Sequence, residues 1–210
     1  MAAESEKKKT VHFPVKRTLD VILSLMGGIL SVPFVLLGSL AIVLEDPTAG
    51  PIFAQERVGK NGKHFVMFKL RSMRKNAEDE LEALWQSNES DGPAFKIKND
   101  PRITKVGRIL RKTYIDELPQ FFNVLRGDMS LVGPRPPLPA EVANYDDRQR
   151  ERLSVEQGMT CFWQIAKDRY NLPFEDWVDL DLKYIREQSF LTDLKILAGT
   201  VATILRMSGW

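Results

Sequence analysis

The longest feature in the hydrophobic pattern is an uncharged stretch over residues 21–44, VILSLMGGILSVPFVLLGSLAIVL. A helix of this length rises far enough to cross a bilayer core of about 30 Å. Its residues are apolar on every face, which a soluble core helix is not. It is too long for the core of a signal peptide, and no A-x-A site follows it. Pro33 stands in the middle, two residues after Ser31 and a turn after Gly27-Gly28. Proline removes an amide donor and clashes with the preceding turn. Basic residues flank the stretch on both sides, Lys7, Lys8, Lys9, Lys16 and Arg17 before it and Arg57, Lys60, Lys63, Lys69 and Arg71 after it. Positive flanks stay on the cytoplasmic side. Two readings follow: a helix-break-helix hairpin that enters and leaves one leaflet, broken at Ser31 and Pro33, or a proline-kinked spanning helix. In the first, the Ser31 hydroxyl would serve backbone groups freed at the break.

Beyond residue 50 the periods shorten. Residues 52–55 and 64–69 alternate around an Asn61-Gly62 turn pair and predict a β-hairpin. Residues 73–87 predict a polar helix and 87–93 a loop. Residues 101–115 predict a basic helix with Arg102, Lys105, Arg108, Arg111 and Lys112 beside a less polar stripe. Such helices lie on anionic lipid or present a solvated charged face. A helix is expected to open at Asp116-Glu117-Leu118-Pro119-Gln120 and run to about residue 126; Asp and Glu are also ordinary helix-start residues. Residues 131–139, LVGPRPPLP, predict a stiff extended loop that would hold Arg135 with little freedom. Helices are expected over 140–157 and 174–188. Residues 190–207 carry apolar positions at helical spacing, which suits either a core helix or one in the headgroup layer, and Trp210 ends the chain as an interface-type residue. The expected organisation is a basic N-terminus and membrane helix over 1–48, then a second domain over 49–210 that ends in an amphipathic helix.

Composition narrows the chemistry. Lys plus Arg is 30 and Asp plus Glu is 28, so the formal charge of +2 argues against a general nucleic-acid binder. One cysteine, Cys161, and two histidines exclude a disulfide framework and the usual zinc sets. Metal chemistry would rest on carboxylates and favours a hard ion such as Mg²⁺. Walker A, dinucleotide, nucleophile-elbow and zincin motifs are absent.

Several short motifs occur in order: Lys16-Arg17-Thr18-Leu19-Asp20 before the broken apolar stretch, Gly50-Pro51-Ile52-Phe53, Gln55-Glu56-Arg57-Val58-Gly59 and Phe68-Lys69-Leu70-Arg71-Ser72-Met73. After these come Asp100-Pro101-Arg102-Ile103-Thr104, Asp116-Glu117-Leu118-Pro119-Gln120, the segment GDMSLVGPRP at 127–136 and Leu180-Asp181-Leu182-Lys183-Tyr184-Ile185. The ordered set resembles the monotopic polyprenol-phosphate phosphoglycosyl transferases, bacterial sugar transferases that start surface-glycan assembly. The resemblance implies an α/β fold in a loose sense, mostly α with a small sheet, built on a re-entrant helix with interfacial amphipathic helices. It places the enzyme on the cytoplasmic face of the inner membrane.

The same resemblance implies transfer of a sugar-1-phosphate from a UDP-sugar to undecaprenyl phosphate, with release of UMP, a covalent aspartate intermediate and a need for Mg²⁺. This is the first membrane step of exopolysaccharide, capsule, O-antigen or glycoprotein glycan assembly. By resemblance Asp116 is the nucleophile and Glu117 the metal ligand. Lys69, Arg102, Arg111 and Arg135 are phosphate-binding candidates and Asp181 a supporting residue. Homo-oligomers and downstream glycosyltransferases are possible partners. Many relatives read Pro-Gly-Ile-Thr-Gly where this chain has Gln157-Gly158-Met159-Thr160-Cys161, and Ser-Gly-Arg near 166–169, so no donor sugar is carried over. The chain is also expected to lack the extra N-terminal membrane helices of longer relatives.

The chemistry suits these residue types. A carboxylate is a competent phosphoryl acceptor. Its attack on an anionic diphosphate needs cations fixed near the non-bridging oxygens, and arginine matches phosphate in a bidentate fork. A non-enzymatic membrane-anchored adaptor that binds anionic lipid would explain the apolar stretch and basic helix but neither the Asp-Glu pair nor the Gly-Pro-Arg-Pro loop. A hydrolase of nucleotide-sugars or polyprenyl diphosphates would need no lipid acceptor.

Overall fold

The computed structural model describes residues 2–169 and 171–207, with side chains from Pro14 onward. Trp210 lies outside the described residues. Helix α1, Ala2–Glu45, is followed by the antiparallel hairpin of β1, Ile52–Val58, and β2, His64–Leu70. Asn61 and Gly62 both take positive φ at its turn, as the Asn-Gly pair demands. Then come α2, Leu81–Leu84; α3, Lys105–Thr113; α4, Gln120–Arg126; and β3, Ser130–Val132. Short helices α5, Pro139–Ala143, and α6, Asp147–Arg150, lead to β4, Gly158–Thr160, which pairs with β3 in parallel. The long helices α7, Phe174–Glu187, and α8, Phe190–Leu205, close the fold.

The chain is therefore mostly helical with two small sheets, and the expected hairpin, α7 and α8 are present. Three expectations are corrected. Residues 73–87 hold only a turn, the one-turn α2 and a 3₁₀ turn, and 140–157 divides into α5, α6 and a 3₁₀ turn. The Leu131-Val132 part of the expected loop is strand β3, because Ser130 and Val132 find backbone partners near Gly158 and Thr160. The third concerns α1. It is helical through Ser31 and Pro33, so a change of direction there is a bend within the helix and not a non-helical linker. Proline here costs one amide bond, that to the Ile29 carbonyl. The Ser31 hydroxyl donates to the neighbouring Gly28 carbonyl at 2.7 Å.

The packing of α1 is inverted relative to a soluble helix. Lys16, Asp20, Ser24, Ser31, Gly38 and Ile42 are its buried positions and lie on one stripe. The apolar residues point away: Leu30, Leu36, Leu37 and Leu44 are 64–74% exposed. Gly27 and Gly38 let the stripe approach Phe121 and the Leu70–Leu110–Ile115 cluster. Both ends of the stripe are tied to the same body. Lys16 pairs with Asp193 of α8 at 2.8 Å, beside the Tyr184 hydroxyl. Arg17 donates to the Val124 and Leu125 carbonyls in the last turn of α4, at 2.6 and 2.9 Å. Asp20 accepts from the Leu131 amide. At the other end the Glu45 carboxylate accepts from the Lys105 and Val106 amides, at 2.9 and 3.0 Å, and caps α3. Lys16 and Arg17 thus serve the fold rather than standing as free flanking charges.

The core has a centre beneath the first sheet (Phe65, Met67, Val124, Met129, Leu131, Tyr184, Ile196) and a second around the stacked Trp163–Trp177 pair, whose rings lie 4.3 Å apart. Two close backbone approaches lock neighbouring segments together. A Cβ on Gly107 of α3 would lie 1.9 Å from the Ser72 carbonyl oxygen, and one on Gly158 would lie 2.0 Å from the Gly133 amide nitrogen. Gly107→Ala should destabilise the fold by about 2 kcal/mol or more, or prevent folding, through overpacking against backbone. Gly50→Ala, with nothing within 4 Å of the new Cβ, should stay close to wild type. Thermal melts of the two variants in lipid nanoparticles test this; equal melts would refute the packing.

Candidate active site

Asp116 and Glu117 do not open an α-helix. They lie in a 3₁₀ turn, Ile115–Glu117, between α3 and α4. The turn exists because Tyr114 adopts a left-handed conformation, φ 60°, and ends α3 abruptly. That conformation costs a non-glycine residue about 1 kcal/mol or more. Arg169 stabilises it: its guanidinium lies over the Tyr114 ring, 5.3 Å from the centroid, and donates to the Tyr114 hydroxyl. On the far side, Asn123 of α4 is fully buried and joins that helix to β2, accepting from the Phe68 amide and donating to the Val66 carbonyl. The two ties set the acidic turn against the end of β2, where Lys69 donates to Glu117 Oε1 at 3.2 Å.

A cleft opens here, with about 250 Å³ of space that includes open solvent. Its walls bring together Lys69, Glu117, Gln120, Arg135 and Met159, and also Arg57, which the motif reading left without a role. Asp116 is buried, 8% exposed, beside this wall. Burial, then the charge of Glu117, pushes its carboxyl up to about 6, against the pull of Lys69 and Arg111. Arg111 donates through Nε to Ser72 Oγ at 2.8 Å, and Asp116 is the charge that most supports its cationic form. Arg135 has one weak ion pair, 3.7 Å to Glu141.

Two predicted residues are placed elsewhere. Arg102 is buried in a forked pair with Asp100, 2.7 Å at the shortest, and donates to the Ala77 carbonyl; like Arg111, it is not on the cleft wall. Asp181 is fully buried, bonded at 2.9 Å to Arg152, whose Nη1 donates to the Tyr145 hydroxyl. Burial pushes Asp181 up to about 6. The Arg152 carbonyl accepts from the Gln157 amide side chain, just before the cleft-lining Gly158 and Met159. Asp181 therefore bears on the cleft through Arg152. Ser31 and Pro33 are on α1, remote in sequence from the acidic turn but on the helix whose Gly38 touches Ile115.

Among the described residues there is no cluster of three or more His, Cys, Asp or Glu side chains able to hold a metal by themselves. Mg²⁺ does not need one, since it takes one or two carboxylates and completes its shell with water and substrate phosphates. Glu117 fits that pattern: Lys69 engages only Oε1, and the carboxylate faces the cleft.

Asn123 and Tyr114 were not singled out by motif. A buried asparagine within a helix, where its propensity is poor, was the available signal for the first. Glu45 was also passed over, as the first charge after a long apolar stretch.

The raised Asp116 sets a stability test. The native state holds this proton more tightly than the unfolded chain, so its stabilising contribution is present in acid and is lost as pH rises through about 6. Asp116→Asn should melt above wild type at pH 7.5, by about 1–3 kcal/mol, and the difference should shrink toward pH 4. A variant that melts below wild type at pH 7.5 would contradict the buried, disfavoured charge.

Comparison with known proteins places this geometry. Residues 11–207 match the family described as bacterial sugar transferase. Over 205 residues the chain is 43% identical to the galactosyl transferase CpsE of Streptococcus agalactiae, covering 96% of this chain and 44% of that protein. It is 39% identical to the undecaprenyl-phosphate galactose phosphotransferase of Salmonella typhimurium, covering 96% and 42%. It is 35% identical to the exopolysaccharide production protein ExoY of Sinorhizobium fredii, covering 92% and 87%. The chain thus spans less than half the length of the first two and most of the third. With a match across nearly all of its residues, the chain belongs to the bacterial sugar transferase family.

Proposed function

We propose that this chain transfers a sugar-1-phosphate from a UDP-sugar to undecaprenyl phosphate at the cytoplasmic face of the inner membrane. The observation that carries this reading is the buried Asp116 carboxyl, beside the Lys69–Glu117 pair and Arg111, on a turn that packs against the lipid-type helix α1. The names of relatives support a polyprenol acceptor and divide over the sugar: galactose for the Salmonella protein, N-acetylgalactosamine for a Bacillus subtilis one.

In this reading an Asp116 carboxylate oxygen attacks the sugar-bearing phosphorus. The bond from that phosphorus to the bridging oxygen breaks, and UMP leaves with the electron pair. A phosphate oxygen of the lipid acceptor then attacks the same phosphorus and displaces the Asp116 carboxylate. Lys69 and Arg111 hold the nucleophile's charge and the developing equatorial charge. Mg²⁺, held by Glu117 with substrate oxygens, would supply further neutralisation when bound. Arg135 would grip phosphate from the stiff loop, and Asp181, through Arg152, would position the β4 wall. Arg102 would act on Arg111 through the shared Asp100.

The membrane part of the reading rests on α1. About 45 Å of helix lies between Lys16 and Glu45 at 1.5 Å per residue. Both of these residues bind the same body, and the outward face is apolar. We infer a re-entrant, single-leaflet seat, with the outward residues of α8 (Leu191 and Leu205), Ile109 of α3 and Phe122 of α4 adding apolar contact to lipid.

Two experiments test these proposals. Protein in lipid nanoparticles with Mg²⁺, undecaprenyl phosphate and a panel of UDP-sugars should release UMP only with acceptor present, and Asp116→Asn should lose at least 10³-fold of the rate, an order of magnitude expected for removing a nucleophile. The rate should fall below about pH 6, where Asp116 gains its proton, and Glu117→Gln should move that limb to lower pH. Acceptor-independent UMP would indicate a hydrolase, and no turnover with any donor would favour the adaptor. For topology, cysteines at Ser5 and Asn61 should both react with an impermeant maleimide only in inside-out vesicles. Labelling from opposite sides would establish a spanning helix.

A further inference from the structure

Arg57 is 5% exposed near the end of β1, with its side chain in the cleft wall. Nη1 donates to the Pro136 carbonyl at 2.9 Å and Nη2 to Gln55 Oε1 at 2.6 Å. Nε has no hydrogen-bond partner among the described residues. Among the described residues no carboxylate oxygen lies within 4 Å of this guanidinium. Arg102 and Arg152, equally buried, each grip a carboxylate at 2.7–2.9 Å. A buried arginine kept only for packing is expected to resemble those two, because an unpaired buried charge is costly. Here a second cation makes the position worse. Burial and then Arg135 pull Arg57 down to about 9, with Glu141 and Glu117 offsetting part of this. Arg135 in turn has, among the described residues, only its 3.7 Å ion pair with Glu141. Two adjacent, under-neutralised guanidinium groups facing a cleft are the arrangement that binds a phosphate dianion.

The charges also order the cleft. Arg57 is tied to the Pro136 carbonyl of the loop that carries Arg135, whereas Lys69 is tied to Glu117, the neighbour of Asp116. The two arginines therefore belong to the loop wall of the cleft and not to the acidic turn. The helix α1 contacts, through Gly38, are on the Ile115 side. We propose that Arg57, with Arg135, forms the subsite for the nucleotide phosphate that departs as UMP. This rests on the UDP-sugar reading above. When the bond between the sugar-bearing phosphorus and the bridging oxygen breaks, that oxygen stays with the nucleotide phosphate, which gains one negative charge. The free Nε–H of Arg57 and the Arg135 fork neutralise that charge.

Calorimetric titration of the full chain in lipid nanoparticles with UMP, in Mg²⁺, tests the subsite without turnover. Arg57→Gln should weaken UMP binding about tenfold or more, the loss expected for a charge-assisted hydrogen bond, and should raise KM for the UDP-sugar with KM for undecaprenyl phosphate unchanged. Arg135→Gln should weaken UMP in the same way, and Arg57→Lys should keep part of the affinity. These two variants carry the test if Arg57→Gln does not fold. UMP affinity equal to wild type in Arg57→Gln would overturn the proposal. So would a raised KM for the lipid acceptor with UMP binding intact, since that would place the acceptor phosphate there. Arg57-dependent UMP binding without turnover from any UDP-sugar would sink the transfer reading and leave this subsite standing. Normal turnover with UMP binding indifferent to Arg57 would sink the subsite alone.

Discussion

Helix α1 holds by their ends the two helices that flank the acidic turn. Arg17 takes the carbonyls at the C-terminus of α4, and Glu45 takes the amides at the N-terminus of α3. Each charge has the sign that the helix dipole favours at that end. The groups it satisfies are those a helix cannot satisfy for itself. One helix therefore sets the separation of α3 and α4, and the Tyr114–Glu117 connection between them must fit that separation. The left-handed Tyr114 is the residue that makes it fit.

This use of α1 also explains its inverted surface. The stripe from Lys16 through Asp20, Ser24, Ser31 and Gly38 faces protein because it carries the ties and the close approaches. What remains for the outside is leucine, isoleucine, valine and phenylalanine. Water would penalise such a face by roughly 25 cal/mol for each Å² of apolar surface left exposed, so a lipid surround and the protein-facing ties reinforce each other. Replacing a tie by an apolar residue would weaken the grip on the acidic turn without changing the pull toward lipid. Anchoring and site geometry are thus separable functions of opposite faces of one helix.

How much of this was legible follows the range of the interactions. The β-hairpin, α7 and α8 are governed by local periodicity and turn chemistry, and they stand where the pattern put them. The stripe on α1 was readable too, as Lys16, Asp20 and Ser24 at four-residue spacing followed by small residues, but the apolar character of residues 21–44 masked it. The β3–β4 pair was not readable. It joins two three-residue strands separated by more than twenty residues, and its close contact depends on Gly133 meeting Gly158. Among the motif residues, Lys69, Glu117 and Arg135 converge on one cleft, whereas Arg102 and Asp181 are engaged with Asp100 and Arg152. A motif marks that a residue type is required, and its partner decides whether it meets a ligand or supports a neighbour that does.

The electrostatics of the cleft carry the argument one step further. Without substrate, Arg57, Lys69, Arg111 and Arg135 stand against Glu117 and Asp116, and burial already makes the Asp116 charge unfavourable. In the proposed reaction a diphosphate would bring at least two more negative charges into the same space. If these met Asp116 unscreened, they would raise its proton affinity further and remove the nucleophile when it is needed. The cations must therefore be divided: some hold the incoming phosphates, while others hold the carboxylate. The order of charges along the cleft provides that division. Arg57 and Arg135 stand at the Pro136 loop, near Glu141, and Lys69 is paired with Glu117 next to Asp116. In the proposed reaction a carboxylate nucleophile would then keep its charge next to an anionic substrate because the two negative groups draw on different cations.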